Sequence, residues 1–225
     1  MSEVRERFHT KREVAIARMR DAILLGRYRP GQVLRQVDLM ADLDLGATPA
    51  REAALELVAR GLLVHESHRG VRVAGLDAER ARHVYEVRAL LEGEAARLSS
   101  ARADDDAIDR LTRHLQAMER AFEAGERKRL AAADERFHRT LCEGAGNPVL
   151  MRQIEQLWEQ FPRYMLWRKR ERVAESLREH KAILKQFSRG DGDATASAVH
   201  NHILHGLDAL AAMLRDDASR AGSDE

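Results

Sequence analysis

Apolar residues recur at helical spacing through most of the chain, and this pattern narrows the possible folds more than any other feature. Long stretches rich in Ala, Leu, Arg and Glu carry an apolar side chain every three or four positions, and only 4 of the 225 residues are proline. A repeat of this kind predicts amphipathic helices. The hydrophobic content of 44% also suffices for a buried core in a chain of this length. We therefore expect a mainly α protein with one large domain or two small ones.

The first 75 residues also contain strand-like runs, and their order of elements is distinctive. Three helical patterns precede two short β-type runs. The first helix is expected from about Val4 or Thr10 to Leu25, and the other elements at about residues 36–43, 48–60, 63–66 and 71–74. Thr48 is the expected N-cap of the third helix, because Pro49 suits the first helical position. The two β-type runs flank Ser67-His68-Arg69-Gly70 as the strands of a hairpin would. This order predicts an N-terminal winged helix-turn-helix domain over residues 1–75.

A winged helix-turn-helix places its second helix in the major groove and its wing on the backbone or the minor groove. The first turn of that helix would present Thr48 and Arg51, and an arginine can form two hydrogen bonds to a guanine edge. Phosphate contacts are expected from the start of the preceding helix and from the wing tip, at Arg35, His68, Arg69 and Gly70. Solvated surface charge is the alternative interpretation of these arginines. Residues 1–75 hold 13 Lys and Arg against 10 Asp and Glu, a mildly basic balance that suits DNA.

Beyond residue 75 the sequence shows helical patterns and no strand signal. The helices are expected at about residues 78–100, 104–123, 126–143, 147–161, 173–189 and 192–215. Pro162 is expected to interrupt the fourth of them. The patterns predict a C-terminal all-α antiparallel helical bundle over residues 76–215. The polar tail, residues 216–225, is expected to be disordered.

Other features exclude several classes of protein. Cys142 is the only cysteine, so an internal disulfide or a multi-cysteine metal site is excluded. No apolar run approaches the roughly 20 residues that a membrane-spanning helix needs. Because the N-terminal segment also lacks the apolar stretch of a signal peptide, we expect a cytoplasmic protein with no membrane contact.

Four ionisable residues fall on apolar faces of three different predicted helices. Asp134 and His138 lie four residues apart and so share one helix face, while His180 and His202 lie in the apolar stripes of two later helices. Burying such groups is costly unless they bind something, and three histidines with one aspartate suit a divalent metal ion. Hydrogen-bonded core histidines are the alternative, since the chain has 10 histidines in all.

Arg88 borders the apolar stripe of the first bundle helix. A guanidinium that faces the interior needs a carboxylate or phosphate partner. That partner is either a bound ligand or Glu92, which lies one helical turn further on the same face. The sequence leaves both interpretations open.

Two sets of motifs resemble a known family. Residues 12–75 carry G-x-Y-x-P-G-x-x-L, T-P-x-R-E-A and H-R-G-V-x-V, and they resemble the N-terminal domain of GntR-type bacterial transcriptional regulators. Residues 80–210 resemble the all-helical FCD ligand-binding domain of the FadR-like branch, in its six-helix, VanR-like variant. The motifs there are Y-E-V-R-A-L-L-E, A-D-E-R-F-H-R-T-L, G-N-P-V-L, E-H-K-A-I-L and H-N-H-I-L. Gly46 and Ala47 depart from the pattern, because an arginine usually stands just before Thr-Pro.

The resemblance implies a homodimeric transcriptional regulator, mostly a repressor, that binds the two half-sites of a palindromic operator. It implies DNA contacts from Arg35, Thr48, Arg51, Arg69 and Gly70. It also implies a divalent metal ion, first of all Zn²⁺ although Ni²⁺ or Mn²⁺ would suit, on the ligands Asp134, His138, His180 and His202. In such domains a small organic acid binds at the metal, which would make Arg88 its carboxylate partner and Asn147 part of the pocket wall.

Two other functions compete with this interpretation. A metal-dependent enzyme is one, because three histidines and an aspartate around an open metal position could activate water. Glu135-x-x-His138 matches half of a di-iron motif, but a second such pair and an evident general base are missing. A structural protein that dimerises through its helices is the other. Neither alternative explains the winged domain.

Overall fold

The computed structural model describes residues 10–67, 69–75, 77–160 and 169–221, with side chains described as far as residue 215. The chain divides into two compact units, Met1–Gly75 and Leu76–Glu225, which we call the N-terminal and the C-terminal unit. Each unit has its own cluster of buried apolar side chains.

The N-terminal unit combines three helices with a small sheet. Its elements are α1 (Lys11–Leu24), β1 (Val33–Leu34), α2 (Gln36–Leu43), α3 (Ala47–Ala59), β2 (Leu63–Glu66) and β3 (Gly70–Val73). β1 and β2 both pair antiparallel with β3, so the strand order is β1-β3-β2. The predicted winged helix-turn-helix is confirmed. The sheet also has one strand more than the predicted hairpin, because a strand as short as β1 leaves no alternating pattern in the sequence.

Apolar side chains from the helices and the sheet form the core of the N-terminal unit. The most deeply buried include Ala15, Met19, Leu39, Ala53, Leu57 and Leu63. α1 begins at a capping box, in which Thr10 Oγ1 accepts from the backbone N–H of Glu13 and the Glu13 carboxylate accepts from that of Thr10. These two hydrogen bonds satisfy donors at the helix start that have no acceptor within the helix.

α3 begins two residues earlier than the Thr-Pro signal requires, and the prediction that Thr48 is its N-cap is therefore wrong. Gly46 is the N-cap and Ala47 is the first helical residue. The turn before it is tight, because Asp44 ends α2 in the left-handed conformation with φ 50°. Pro49 still fits within the first turn of α3, where backbone N–H groups have no acceptor inside the helix.

The wing requires glycine at position 70. Gly70 has φ +106°, and a Cβ at this position would lie 2.5 Å from the backbone oxygen of Leu34 and 3.3 Å from Cα of Arg35. An L side chain fits neither that dihedral angle nor that space. Gly70 therefore allows β1 and the residue before α2 to pack closely against the base of the wing.

The described part of the C-terminal unit consists of six helices. They are α4 (Ala78–Ser100), α5 (Asp105–Glu123), α6 (Arg127–Glu143), α7 (Pro148–Trp158), α8 (Arg170–Phe187) and α9 (Gly192–Ala221). The predicted all-α bundle is confirmed. α9 continues past residue 215, where the sequence pattern ends, as far as Ala221. The interruption expected at Pro162 lies outside the described residues.

α4 brings the other helices of the C-terminal unit together. It packs along α9 and contacts α6 and α7, while α8 packs on α5 and α9. The largest fully buried side chains include Tyr85, Leu111, Phe137, Ile183 and Phe187. As a result, the inward faces of α4, α6, α8 and α9 share one interior. None of the described helices in either unit combines the length and the apolar character that a membrane crossing needs.

Candidate metal and ligand site

Three buried histidines from three helices meet inside the C-terminal unit. His138 lies on α6, His180 on α8 and His202 on α9, and one potential ligand atom of each lies within 4.8 Å of those of the other two. The imidazole centroids are 4.5 to 5.3 Å apart. Three imidazoles at this separation match the ligands that zinc and similar divalent ions take in proteins.

Hydrogen bonds define which nitrogen of two of these rings carries the proton. His180 Nδ1 lies 2.7 Å from the backbone oxygen of Ser176, and His202 Nδ1 lies 2.6 Å from Oε2 of Glu179. A carbonyl or carboxylate oxygen can only accept, so each Nδ1 is the donor and each Nε2 keeps its lone pair. Metal-bound histidines use this arrangement, with one nitrogen on the metal and the other donating outward.

Two buried nitrogen atoms of the cluster each lie near a carboxylate oxygen, which is 3.2 Å away for His138 Nδ1 (Glu92) and 3.4 Å away for His180 Nε2 (Asp134). His138 Nδ1 and His180 Nε2 are buried and form no hydrogen bond within the part of the chain that the structure describes. Buried nitrogens in native proteins are rarely left in this state, and each case calls for an explanation such as an ion. The three residues therefore fit a bound metal ion better than they fit an ordinary core.

Burial also keeps two of these histidines, His138 and His202, in the form that binds metal. Desolvation lowers the pKa of His138, against the opposing effect of Glu92 and Asp134. Desolvation, together with the nearby His180, lowers the pKa of His202 to about 3. Both rings are therefore neutral at pH 7, and only neutral imidazole offers a lone pair to a metal.

Asp134 lies at the edge of the histidine cluster. One of its carboxylate oxygens is 3.4 Å from Nε2 of His180, and the residue is 8% exposed. It shares one face of α6 with His138, as the four-residue spacing predicts. The structure thus brings all four predicted metal ligands together, with the three histidines in the closest group.

Arg88 has a protein partner and also faces a cavity. Its Nε donates to Oε1 of Glu92 at 2.8 Å, and the indole Nε1 of Trp158 donates to the same oxygen at 2.8 Å. Oε2 of Glu92 lies 3.2 Å from His138 Nδ1. Among the described residues the terminal nitrogens of Arg88 make no hydrogen bond. Desolvation opposes ionisation of Arg88, but Glu92 raises its pKa, so the guanidinium is charged.

A small cavity connects these groups. It has a volume of about 40 Å³, and its lining includes Tyr85, Arg88, Asp134, His138, Arg172 and His202. A few water-sized groups fit in such a volume, whereas ligand pockets usually measure about 300–1,000 Å³. The cavity therefore accepts more than an ion with a few small ligands only if the surrounding helices move apart.

Asn147 does not belong to this site, and its prediction as part of the pocket wall is wrong. The residue is exposed at the start of α7. Its Oδ1 accepts hydrogen bonds from the backbone N–H groups of Val149 and Leu150, which makes it the N-cap of that helix. The motif around Asn147 thus reflects a helix start.

A charged network that the sequence analysis missed lies beside the cluster. Arg172 donates two hydrogen bonds to Glu179, at 3.0 and 2.9 Å, and His205 Nδ1 lies 3.0 Å from the same carboxylate. Burial opposes ionisation of Glu179, but hydrogen bonds from His202 and Arg172 hold its pKa well below its usual range. The spacing of seven residues between Arg172 and Glu179, two helical turns, is the only signal of this pair in the sequence.

The predicted DNA contacts all lie on the N-terminal unit. Arg35, Thr48, Arg51 and Arg69 are exposed, and His68 lies outside the described residues. Six other arginines of the unit form ion pairs, namely Arg12, Arg18, Arg20, Arg27, Arg60 and Arg72. Within the described part of the unit, Arg29, Arg35, Arg51 and Arg69 form none. Unpaired guanidinium groups are the ones available for phosphates and base edges.

Comparisons with known proteins agree for both units. The family described as bacterial regulatory proteins, gntR family, matches residues 11–73, and the FCD domain family matches residues 83–205. The Nta operon transcriptional regulator of Aminobacter aminovorans is 31% identical over 84% of this chain and 89% of its own length. The HTH-type transcriptional repressor GlaR of Escherichia coli is 30% identical over 83% of this chain and 89% of its own. The solved structure of E. coli McbR/YncC shares the fold, with a TM-score of 0.83 at 19% identity over 92% of this chain and all of that one.

Proposed function

Since this chain belongs to the GntR family of bacterial transcriptional regulators and carries an FCD domain, we propose that a small carboxylate bound in that domain controls its binding to DNA. The family makes the protein a DNA-binding regulator and not an enzyme. Residues 1–75 would bind the operator, and residues 76–215 would bind the effector and form a homodimer. One observation carries the proposal, namely the buried cluster of three histidines beside a cavity that a charged arginine borders.

The residues of the cluster fit a divalent cation such as Zn²⁺, with Ni²⁺ or Mn²⁺ as the other candidates. His138, His180 and His202 would hold it, and Asp134 would complete the set. When bound, such an ion supplies a positive centre to which a carboxylate can coordinate. The support comes from the neutral imidazoles of His138 and His202, from the two Nδ1 donors, and from the two buried nitrogens that form no hydrogen bond within the described residues.

Arg88 would hold the carboxylate of the effector. Its Nε is occupied by Glu92 and its guanidinium lies over the ring of Tyr85, but its terminal nitrogens form no hydrogen bond among the described residues, and the side chain borders the cavity. A guanidinium can use these nitrogens for a charge-assisted hydrogen bond to an incoming carboxylate. Because the cavity measures only about 40 Å³, an organic acid would have to displace the helices around it, and this displacement is the proposed signal.

The N-terminal unit would bind one half-site of a palindromic operator per protomer. The two half-sites of such dimers lie about one helical turn of DNA apart. Arg51 near the start of α3 and Arg69 in the wing would contact bases and phosphates, because neither has an ion-pair partner in the described residues. Repression is the proposed sign of regulation, because relatives such as GlaR are named repressors.

The proposal is tested by measuring binding to the DNA upstream of the protein's own gene at a fixed salt concentration. Metal-free and Zn²⁺-loaded protein would be titrated with and without a panel of small mono-, di- and tricarboxylates. We expect one acid to change the DNA affinity of the loaded protein about 5–150-fold, the usual range of allosteric coupling. His138→Ala and His180→Ala should bind DNA normally and lose this response.

His114→Ala is the matched control, because His114 is a half-buried histidine of α5 outside the cluster. It should respond to the acid as the wild type does. Loss of DNA binding in the cluster variants together with an unchanged affinity for the acid would show that the histidines serve no effector site. Failure of every acid to alter DNA affinity in either metal state would also overturn the proposal.

A further inference from the structure

Glu179 lies next to a proposed metal ligand in the sequence but contacts a different one in space. Successive residues on a helix point about 100° apart, so Glu179 cannot share the inward direction of His180 on α8. It faces α9 instead, where its Oε2 lies 2.6 Å from Nδ1 of His202. The histidine is 9% exposed, and the carboxylate is half-buried.

Further contacts on both oxygens hold this carboxylate in place. Oε1 accepts from Nη1 of Arg172 and lies 3.0 Å from His205 Nδ1, while Oε2 accepts from Nη2 of Arg172 as well as from His202. A two-pronged contact with arginine restricts the plane of a carboxylate as well as its position. Glu179 therefore presents a fixed acceptor to the ring of His202.

A fixed acceptor has a specific chemical consequence for His202. The carboxylate binds the Nδ1–H form of the ring, which places the lone pair on Nε2 and sets the direction of the ring. A carboxylate behind an imidazole also makes the outward nitrogen a stronger base towards a metal. The backbone oxygen of Ser176 has the same position behind His180, but a carbonyl has no full charge.

We propose that Glu179, held by Arg172, is the positioning residue that prepares His202 to bind the metal ion. Glu179 does not itself belong to the group of metal-ligating atoms, and it acts through the ring of His202. This inference rests on the metal site proposed above. A purely structural role, as an ion pair between α8 and α9, would affect stability but not the tautomer of His202.

The first test compares the Zn²⁺ affinity of full-length variants by competition with a chromophoric chelator. Removal of a hydrogen-bond partner behind a metal ligand typically weakens metal binding about 10–100-fold, and we expect this loss in Glu179→Gln. Glu175→Gln is the matched control. Glu175 lies one turn earlier on α8 and contacts the same Arg172 at 3.6 Å, but it has no contact with a histidine among the described residues. Its affinity for Zn²⁺ should stay within about twofold of that of the wild type.

The second test reads the tautomer directly, by nitrogen-15 NMR of the histidine rings in metal-free protein. The signal of His202 is assigned by its loss in His202→Gln. We expect the Nδ1–H tautomer in the wild type and in Glu175→Gln, and a mixture of tautomers in Glu179→Gln. The wild-type spectrum decides the matter even if Glu179→Gln does not fold, because an Nε2–H tautomer there would overturn the inference.

The outcomes separate this inference from the function on which it rests. Wild-type protein that binds no Zn²⁺ would remove the proposed metal site, while the metal-free spectra would still report whether Glu179 sets the tautomer. Equal Zn²⁺ affinity in wild type and Glu179→Gln, or an equal loss in both glutamine variants, would overturn the role of Glu179 and leave the metal site standing.

Discussion

Glu92 is fully buried and contacts the side chains of three other residues. It accepts hydrogen bonds from Arg88 and Trp158 on one oxygen, and its other oxygen lies 3.2 Å from His138. A buried ion pair adds little net stability because desolvation offsets the attraction, but removing one partner leaves an uncompensated buried charge. The pair of Arg88 and Glu92 therefore constrains the site far more than it stabilises the fold.

Replacing Glu92 alone should destabilise the protein strongly. We expect Glu92→Leu to lower the free energy of unfolding by about 3–5 kcal/mol, because Arg88 is then buried without its counter-charge. Arg88→Met combined with Glu92→Leu should recover part of this loss. Urea unfolding followed by far-UV circular dichroism measures both effects.

An exposed pair on the same helix is the control for Glu92. Glu94 pairs with Arg97 on the surface of α4, and Glu94→Gln should change the free energy of unfolding by less than about 1 kcal/mol. Similar decreases in the free energy of unfolding for Glu92→Leu and Glu94→Gln would show that burial of the Glu92 charge does not determine the loss of stability.

Arg51 should contribute to sequence-specific DNA binding. It is exposed near the start of α3, as the fifth residue of the helix, and within the described residues it has no ion-pair partner. An arginine that reads a base edge contributes about 1–3 kcal/mol, so Arg51→Ala should weaken operator binding roughly 5–150-fold. Fluorescence anisotropy with labelled operator DNA and excess non-specific competitor measures the change.

Arg60→Ala is the control for Arg51 because Arg60 lies at the opposite end of α3 and pairs with Glu56. Its affinity for the operator should stay close to that of the wild type. If both variants weaken operator binding equally, the loss in Arg51→Ala comes from the removal of one positive charge and not from a lost contact with a base.

The wing is the element whose geometry depends most on a single residue. Gly70→Ala should strain the backbone by about 1–3 kcal/mol, and its Cβ would also collide with the backbone oxygen of Leu34. We expect faster hydrogen exchange in β1 and β3 and weaker operator binding. Gly75→Ala is the control, because a Cβ there meets nothing within 4 Å. Unchanged exchange in the Gly70 variant would contradict the close approach of β1 to the wing.

The order of the described helices and the hairpin of the wing could be predicted from the sequence. Strand β1, the exact starts of the helices and the contacts between elements could not. Periodicity identifies a helix and its buried face, so all six described helices of the C-terminal unit were expected. Competing cap signals decide where a helix begins, and the left-handed turn at Asp44 outweighs the Thr-Pro pair at Thr48. The side chain of Asn147 caps its own helix by accepting hydrogen bonds from the backbone. The sequence motif around Asn147 does not distinguish this capping role from a place in a ligand pocket.

The candidate site could be predicted in part, for a related physical reason. The spacing of Asp134 and His138 places them on one face, and the apolar neighbours of His180 and His202 indicate that both are buried. Contacts between helices depend on the angles and distances at which the helices cross, and the residue spacing within one helix does not determine these. The hydrogen bonds from Trp158 to Glu92 and from His202 to Glu179 were therefore beyond prediction.

At the scale of the whole molecule, metal binding should stabilise one unit and not the other. All described residues of the histidine cluster belong to the C-terminal unit. A ligand that binds only the folded form adds about 2.7 kcal/mol at a concentration of 100 times Kd. Zn²⁺ should therefore slow hydrogen exchange in α6, α8 and α9 while peptides from residues 10–67 are unaffected.

The variant His180→Ala is the control for this measurement. It should abolish the protection by Zn²⁺ in the C-terminal unit and leave exchange in the N-terminal unit as in the wild type. Protection by Zn²⁺ that persists in His180→Ala would place the metal ion elsewhere in the chain.

The indole of Trp158 makes the buried site visible by fluorescence. Its N–H donates to the carboxylate that also binds Arg88, and the guanidinium of Arg139 lies 5.6 Å from the ring centroid. Indole emission responds to hydrogen bonding and to nearby charge, so a ligand that draws Arg88 away from Glu92 alters the intrinsic signal. The chain has 2 tryptophans, and Trp167→Phe would leave Trp158 as the only emitter. Effector candidates can then be screened on unlabelled protein, without DNA and before the operator is known.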